Sequence, residues 1–364
     1  MSPAAHRRKG TRHWLGRLSD YREPTLGEPA KYPPDIDVAA IPLLPKAGWR
    51  LHPVEEMQIG GAAPKDYLVF GGLDDPQAPA YIAKKPGKYG YRECVTEQMI
   101  SRIGQTLPLK LAASALVRLP TSGREPDVRF LSRSFLIRGR TQLKHGVELV
   151  ADYVGASQSE LNDVFNLGNK EAESRFYTLE TVVCVLEWWA RNDEERRGLL
   201  ERFGRMLAFD AIVGAPDRHA ENWGVIEHPG SPDVRRVLAP VYDTARGLFV
   251  DHREHKFLQI EARGRLEEHV QSYAAKSRPV FGCADGPGKP NHFDLIRYAL
   301  RRYRSTLRGP VSQMLTAYRS ERIEPMLQQE FGRLISPLRM KYVTALLRYR
   351  VATLRRILEE MRAS

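Results

Sequence analysis

Near residue 138 the hydrophobic period of this chain changes. Before it, apolar residues alternate or run in short blocks cut by Gly and Pro, as in MQIG, DYLVFGG, AYIAKKP, LKLAASALVRL and VRFLSRSFLIRG. These are strand-like segments joined by tight turns, and Pro86 stops the third. One exception, CVTEQMISRIGQTL, places Val95, Met99, Ile100 and Ile103 at helical spacing. Beyond residue 138 the apolar positions recur every three or four residues. The segments TLETVVCVLEWWAR, ERRGLLERFGRMLAFDAIVG, HFDLIRYALRRYRSTL and MKYVTALLRYRVATLRRILEEMR all read as amphipathic helices. The hydroxyl of Thr178 can cap the first of them. A small sheet with one helix, followed by a helical body, predicts an α+β fold of two lobes, 46–138 and 139–364. Residues 1–45 are Pro-rich and basic with neither period, and read as a flexible or wrapping extension.

Size and charge narrow the function classes. A chain of 364 residues with 42% hydrophobic content can bury a sizeable core. No apolar run reaches the roughly 18 residues of a membrane span. The start, MSPAAHRRKGTRHW, is basic but has no apolar stretch, so a secretory signal is not expected. Cys94, Cys184 and Cys283 lie far apart with no CxxC pair, which argues against a disulfide scaffold or zinc cluster and fits a reducing compartment. The net charge of +12 gathers at the ends: residues 290–364 hold 15 Lys and Arg against 6 Asp and Glu, and residues 1–35 hold 7 against 4. The basic ends suit an acidic partner or nucleic acid, but the Arg-rich helices are most simply read as solvated faces.

Between two apolar runs lies GAPDRHAENWGVI, residues 214–226. Phosphoryl transfer needs a carboxylate to orient a hydroxyl, oxygen ligands for Mg²⁺ and a cation on the phosphates. Asp217 and Asn222 have the spacing that a kinase catalytic loop uses between its base and a metal-binding Asn. LAPVYDTARGLF then supplies Asp243 for a hard cation that prefers oxygen. Upstream, Lys84 lies in the strand AYIAKKP, Glu97 in the helix after it, and Gly60, Gly61 and Lys65 in a turn that can lay N–H groups and an ammonium over phosphates.

Taken in order, GGAAPK, YIAKKP, TEQMISRIG, DRHAEN and APVYD resemble a HipA-like serine/threonine kinase, a family whose kinase fold is related to the phosphatidylinositol 3/4-kinases. The resemblance spans residues 60–243. It implies a two-lobed protein-kinase-like fold that binds ATP and Mg²⁺. By position it makes Asp217 the catalytic base, Asn222 and Asp243 the Mg²⁺ ligands, Lys84 the phosphate lysine and Glu97 its ion-pair partner. Adenine would sit against the hinge of residues 134–138, at Phe135 and Leu136. It further implies a bacterial cytoplasmic setting, a protein substrate and an antitoxin-like partner. MQIGGAAPK holds no serine where toxin-type members carry a phosphorylatable one.

Plainer readings stand beside these. Asp217 and Asn222 are also ordinary turn formers after Pro216, and Asp243 can cap the helix or turn after it. Strand parity puts Lys84 and Lys85 on opposite faces without choosing between them; the resemblance favours Lys84. Glu93 rivals Glu97 one turn earlier. Lys65 reads equally as a surface residue. His219 reads as a loop-holding residue before a base, and Trp188, Trp189 and Trp223 as core or lobe packing. Two other functions remain open: a lipid or small-molecule kinase, suggested by Arg218 in DRH, and a catalytically weak kinase-like scaffold for a DNA-binding partner, or for DNA itself, at the basic ends.

Overall fold

The computed structural model describes residues 35–45, 47–53, 64–75, 77–123, 125–157, 160, 177–231, 233–285 and 289–363. The first lobe is built on a five-stranded sheet. Its strands are β1 (Trp49–Pro53), β2 (Lys65–Phe70), β3 (Ala80–Lys84), β4 (Ser114–Leu119) and β5 (Asp127–Arg133), in the order β1-β2-β3-β5-β4. All neighbours pair antiparallel, with Trp49 opposite Phe70, Lys65 opposite Lys84 and Lys84 opposite Phe130. The partner of DYLVF is therefore β1 on one side and β3 on the other; MQIG lies outside the described residues. Helix α1 (Tyr91–Gln105) lies on β4 and β5 and buries Cys94, Val95, Met99, Ile100 and Ile103, the apolar stripe of the sequence.

The extension is not featureless where it is described. Ile36 and Ile41 are buried in the main core, and Pro42 and Leu44 hydrogen-bond to Arg118 of β4. Asp35 accepts the Glu254 N–H at 2.7 Å and lies 3.4 Å from Arg92 and 3.7 Å from Arg339. One carboxylate thus ties α1 to the C-terminal helices.

The second lobe adds a three-stranded antiparallel sheet that its short strands hid from the sequence. Its members are β6 (Gln142–His145), β7 (Gly224–Glu227) and β8 (Val237–Leu238), in that order. The helices of this lobe are α2 (Gly146–Val154), α3 (Leu179–Trp189), α4 (Asp193–Val213), α5 (Glu254–Ala262), α6 (Leu266–Lys276), α7 (His292–Arg302), α8 (Arg304–Ala317), α9 (Ser320–Phe331) and α10 (Pro337–Ala363), and α2 and α4 pack on the small sheet. Thr178 caps α3 as its hydroxyl accepts the Thr181 N–H at 3.1 Å. HFDLIRYALRRYRSTL is two helices, broken at Tyr303 with φ −126; the sequence reads it as one because the apolar spacing from Leu300 to Leu307 stays in step across the break.

Helix α4 starts on a dense cap. Asn192 accepts the Glu195 N–H at 2.9 Å, and the Glu195 carboxylate accepts the N–H groups of Arg191 at 3.1 Å and Arg236 at 3.0 Å. The Arg191 side-chain hydrogen bonds, only partly opposed by burial, hold the Glu195 carboxyl down at about 2. A group lowered from its ordinary value of about 4.5 adds stability above that value and loses it as pH falls through about 2. Glu195→Gln should therefore cost roughly 2 kcal/mol at pH 7, after discounting for the part-exposed Arg191. Urea denaturation of both proteins should show that gap closing between about pH 4.5 and about pH 2. A gap independent of pH would assign the effect to shape, not charge.

Candidate active site

Helix α4 delivers the polar loop. Its last residues, Phe209, Ala211, Ile212 and Val213, are fully buried, and it ends at Gly214 with φ 70. That left-handed position suits Gly, and a Cβ there would meet the Arg350 guanidinium at 3.1 Å. Arg350 of α10 is fully buried and donates to Ala211 O at 2.6 Å and Ala274 O at 3.3 Å. It faces the C-terminal ends of α4 and α6 together, where two helix dipoles favour a cation.

Arg218 organises the polar loop. It is 1% exposed and grips Asp210 of α4 through two hydrogen bonds of 2.9 Å. Burial opposes its charge, but the Asp210 carboxylate outweighs this and raises the guanidinium pKa. Its Nη1 donates to Asn222 O at 2.6 Å and to Tyr242 O at 2.7 Å. A single nitrogen therefore holds the backbone of Asn222 beside that of the residue preceding Asp243. Asn222 is buried, and its amide nitrogen contacts Asp217 O at 2.7 Å and His219 Nε2 at 3.0 Å. His219 holds the loop, as its sequence position suggests. Strands β7 and β8 carry the chain from Asn222 round to Asp243.

Asp243 turns back into the cleft with φ 53, a backbone state that Asp tolerates better than most residues. Its carboxylate lies 3.1 Å from Lys84 Nζ, and the same ammonium lies 2.7 Å from Glu97 Oε1. Glu97 also accepts the Thr244 N–H at 3.4 Å. Lys84 thus joins α1 of the first lobe to the Asp243 turn of the second. Burial would lower the Lys84 pKa, but Asp243 and Glu97 more than reverse it. Burial would raise Asp243, yet the Lys84 charge and hydrogen bond hold it low. Burial and the Asp243 charge push Glu97 up against the pull of Lys84. Within this trio one ammonium is shared by two carboxylates, so the Asp243 carboxylate keeps negative charge to offer a further cation.

The rival residues sort themselves. Lys85 points to Asp66 at 3.3 Å, away from this cluster. Glu93 lies by Tyr89 and Gly87. Lys65 stands opposite Lys84 in the sheet. Burial, then repulsion from Lys84, lowers its pKa, while Asp243 and Glu221 oppose the fall, so it belongs to the same charge field. Phe135 and Leu136 lie in the crossover from β5 to β6, and the Phe135 ring packs 5.8 Å from that of Tyr242. Gly60 and Gly61 lie outside the described residues. Trp223 is core, but Trp188 is 51% exposed, so lobe packing does not explain it. Asp217 pairs with Arg246, Oδ2 to Nε 3.1 Å, an arginine that sequence reasoning passed over. Arg350 was also missed, and Arg218 was read only as a hint of a lipid acceptor, not as the residue that holds the loop. Asp210, an acid in the apolar run LAFDAIVG, was the available signal for Arg218.

A β-sheet lobe over a helical lobe, with the Lys84 bridge and the polar loop between them, is a kinase-like two-lobed fold. The profile of the HipA-like C-terminal domain matches residues 57–280, and the chain belongs to that family. The fold is similar to that of the Helicobacter pylori proinflammatory kinase CtkA, at 15% identity and TM-score 0.63, over 85% of this chain and 96% of that one. HipA of Shewanella oneidensis MR-1, solved with HipB and its operator DNA, is similar at 13% identity and TM-score 0.48, over 88% of this chain and 75% of that one. No curated protein matches the chain. Among the described residues no helix is long and apolar enough to cross a membrane.

Proposed function

We propose that the chain is an ATP- and Mg²⁺-dependent protein Ser/Thr kinase of HipA-like type. The observation that carries this reading is Lys84 Nζ between Glu97 at 2.7 Å and Asp243 at 3.1 Å, across the two lobes. Lys84 and Lys65 supply cations for the phosphates, and Phe135 and Leu136 line the adenine side of the crossover. The residues also fit a hard divalent cation. The Asn222 amide nitrogen is engaged within the loop, leaving its oxygen, and Asp243 adds a carboxylate. Mg²⁺, when bound, neutralises charge on the phosphates.

Asp217 orients the acceptor hydroxyl. As the acceptor oxygen bonds to the γ-phosphorus, the bond to the β–γ bridging oxygen breaks and ADP departs. The hydroxyl proton passes to the Asp217 carboxylate and then to solvent. Most of the rate comes from positioning and fixed charge. Arg218 is committed to Asp210 and the backbone, so DRH gives no reason to choose a lipid acceptor. On family membership alone, the reading extends to a bacterial cytoplasmic setting, a protein acceptor and an antitoxin-like partner.

The test is calorimetric ATP·Mg²⁺ binding together with transfer from γ-labelled ATP to protein and lipid acceptors. Wild type should bind and label protein. Lys84→Met should cut transfer by roughly 10²–10³-fold, the loss seen when one fixed electrostatic group is removed. Wild type that binds no ATP·Mg²⁺ would remove the reading; label found only on lipid would move it to the lipid kinases.

A further inference from the structure

The chain from Thr244 to Val250 is buried except at one position, Arg246. Its neighbours are pinned. Thr244 donates its N–H to Glu97, Ala245 is buried, and a Cβ on Gly247 would meet Val213 O at 2.7 Å. Leu248 and Phe249 are both left-handed, with φ 49 and 59, so the segment is held in one course. A rigid, otherwise buried segment therefore presents a single half-exposed guanidinium, and it lies 3.1 Å from the carboxylate that should receive the acceptor hydroxyl. Ser277 Oγ donates to Gly214 O at 3.1 Å, three residues before Asp217, and Ser277 is flanked by exposed Lys276 and Arg278.

We infer that Arg246 is an acceptor-specificity residue: it binds a carboxylate next to the phosphorylated hydroxyl and so selects acceptors with acidic flanks. The inference rests on the proposed kinase activity. Without acceptor, Arg246 occupies Asp217. An acceptor carboxylate, able to take two parallel N–H bonds from the guanidinium, competes for it and leaves Asp217 to the hydroxyl. No bond beyond the phosphoryl transfer is made or broken.

The experiment uses the full chain and two labelled peptide pools with a central Ser. One pool has Asp or Glu at the flanking positions and the other has Asn or Gln there. Fluorescence anisotropy reads binding without ATP, and γ-labelled ATP reads kcat and KM. Wild type should favour the acidic pool by roughly two- to fivefold in both binding and kcat/KM, the range of a part-exposed charge pair. Arg246→Gln should raise the acidic-pool KM to that of the amide pool, and Arg246→Lys should keep part of the preference. Thermal melts establish that the variants are folded. Equal binding of both pools by wild type overturns the inference, as does a preference that survives in Arg246→Gln. A fall in kcat for both pools alike, with KM unchanged, also overturns it and assigns the guanidinium to the phosphoryl group. Transfer without preference removes only this inference; preference without transfer removes the kinase reading and with it the acceptor role of Arg246, leaving a site for acidic peptides.

Discussion

Arg218→Met should destabilise the protein by about 3–5 kcal/mol, the range seen when one partner of a buried ion pair is removed. The substitution leaves Asp210, 3% exposed, without its cation. It also strips a donor from Asn222 O and Tyr242 O, held at 2.6 and 2.7 Å. The size of the loss comes from uncompensated burial, not from the worth of the pair. The double variant Asp210→Asn with Arg218→Met should therefore recover part of it. Arg218→Lys should fall between, because an ammonium cannot offer the planar fork that meets Asp210 and two carbonyls together. Equilibrium urea denaturation of the four proteins measures this. If Arg218→Met stays within about 1 kcal/mol of wild type, the surface-pair range, Arg218 does not hold the loop.

The same residue shows where sequence reasoning stops. Asp217 and Asn222 were legible because a loop's chemistry is local: five positions fix the pair. Lys84, Glu97 and Asp243 were legible only as an ordered series, since no periodicity brings residues 84 and 243 together. Parity could not choose Lys84 over Lys85; the ion pairs with Glu97 and Asp66 do. The buried role of Arg218 depends on Asp210, in the last turn of α4, and an Arg in a polar loop looks solvated until the partner is placed. Arg246 was hidden in the same way, as one polar letter in DTARGLFV.

The fold divides similarly. Alternation identified β2 to β5, and the helical stripe identified α1, since each has enough residues to show its period. Strands β6 to β8, of four, four and two residues, are too short to show one. They are made by pairing across the chain, Leu143 opposite Ile226 and Val225 opposite Leu238. This small sheet takes up the far end of the polar loop at Gly224 and carries the chain on towards Asp243, so the part of the fold least visible in the sequence helps aim the site.

Asp217→Asn and Asp243→Asn should then fail in different ways. Among the described residues Asp217 pairs with Arg246, which the proposed reading puts on the acceptor side. Asp217→Asn should keep ATP·Mg²⁺ binding within about twofold of wild type and lower transfer by about 10³-fold, within the range for losing a general base. Asp243 stands in the cleft itself, 3.1 Å from Lys84. Asp243→Asn should weaken metal-dependent nucleotide binding as well as transfer, because a neutral amide is a poorer ligand for a hard cation and leaves Lys84 with Glu97 alone. Asn tolerates the left-handed backbone at φ 53, so this loss reports charge and not strain. Calorimetry with and without Mg²⁺, beside single-turnover transfer, separates binding from chemistry. If Asp217→Asn transfers at the wild-type rate, Asp217 is only a turn former. If Asp243→Asn binds ATP·Mg²⁺ as wild type does, Asp243 is only the anion that orients Lys84.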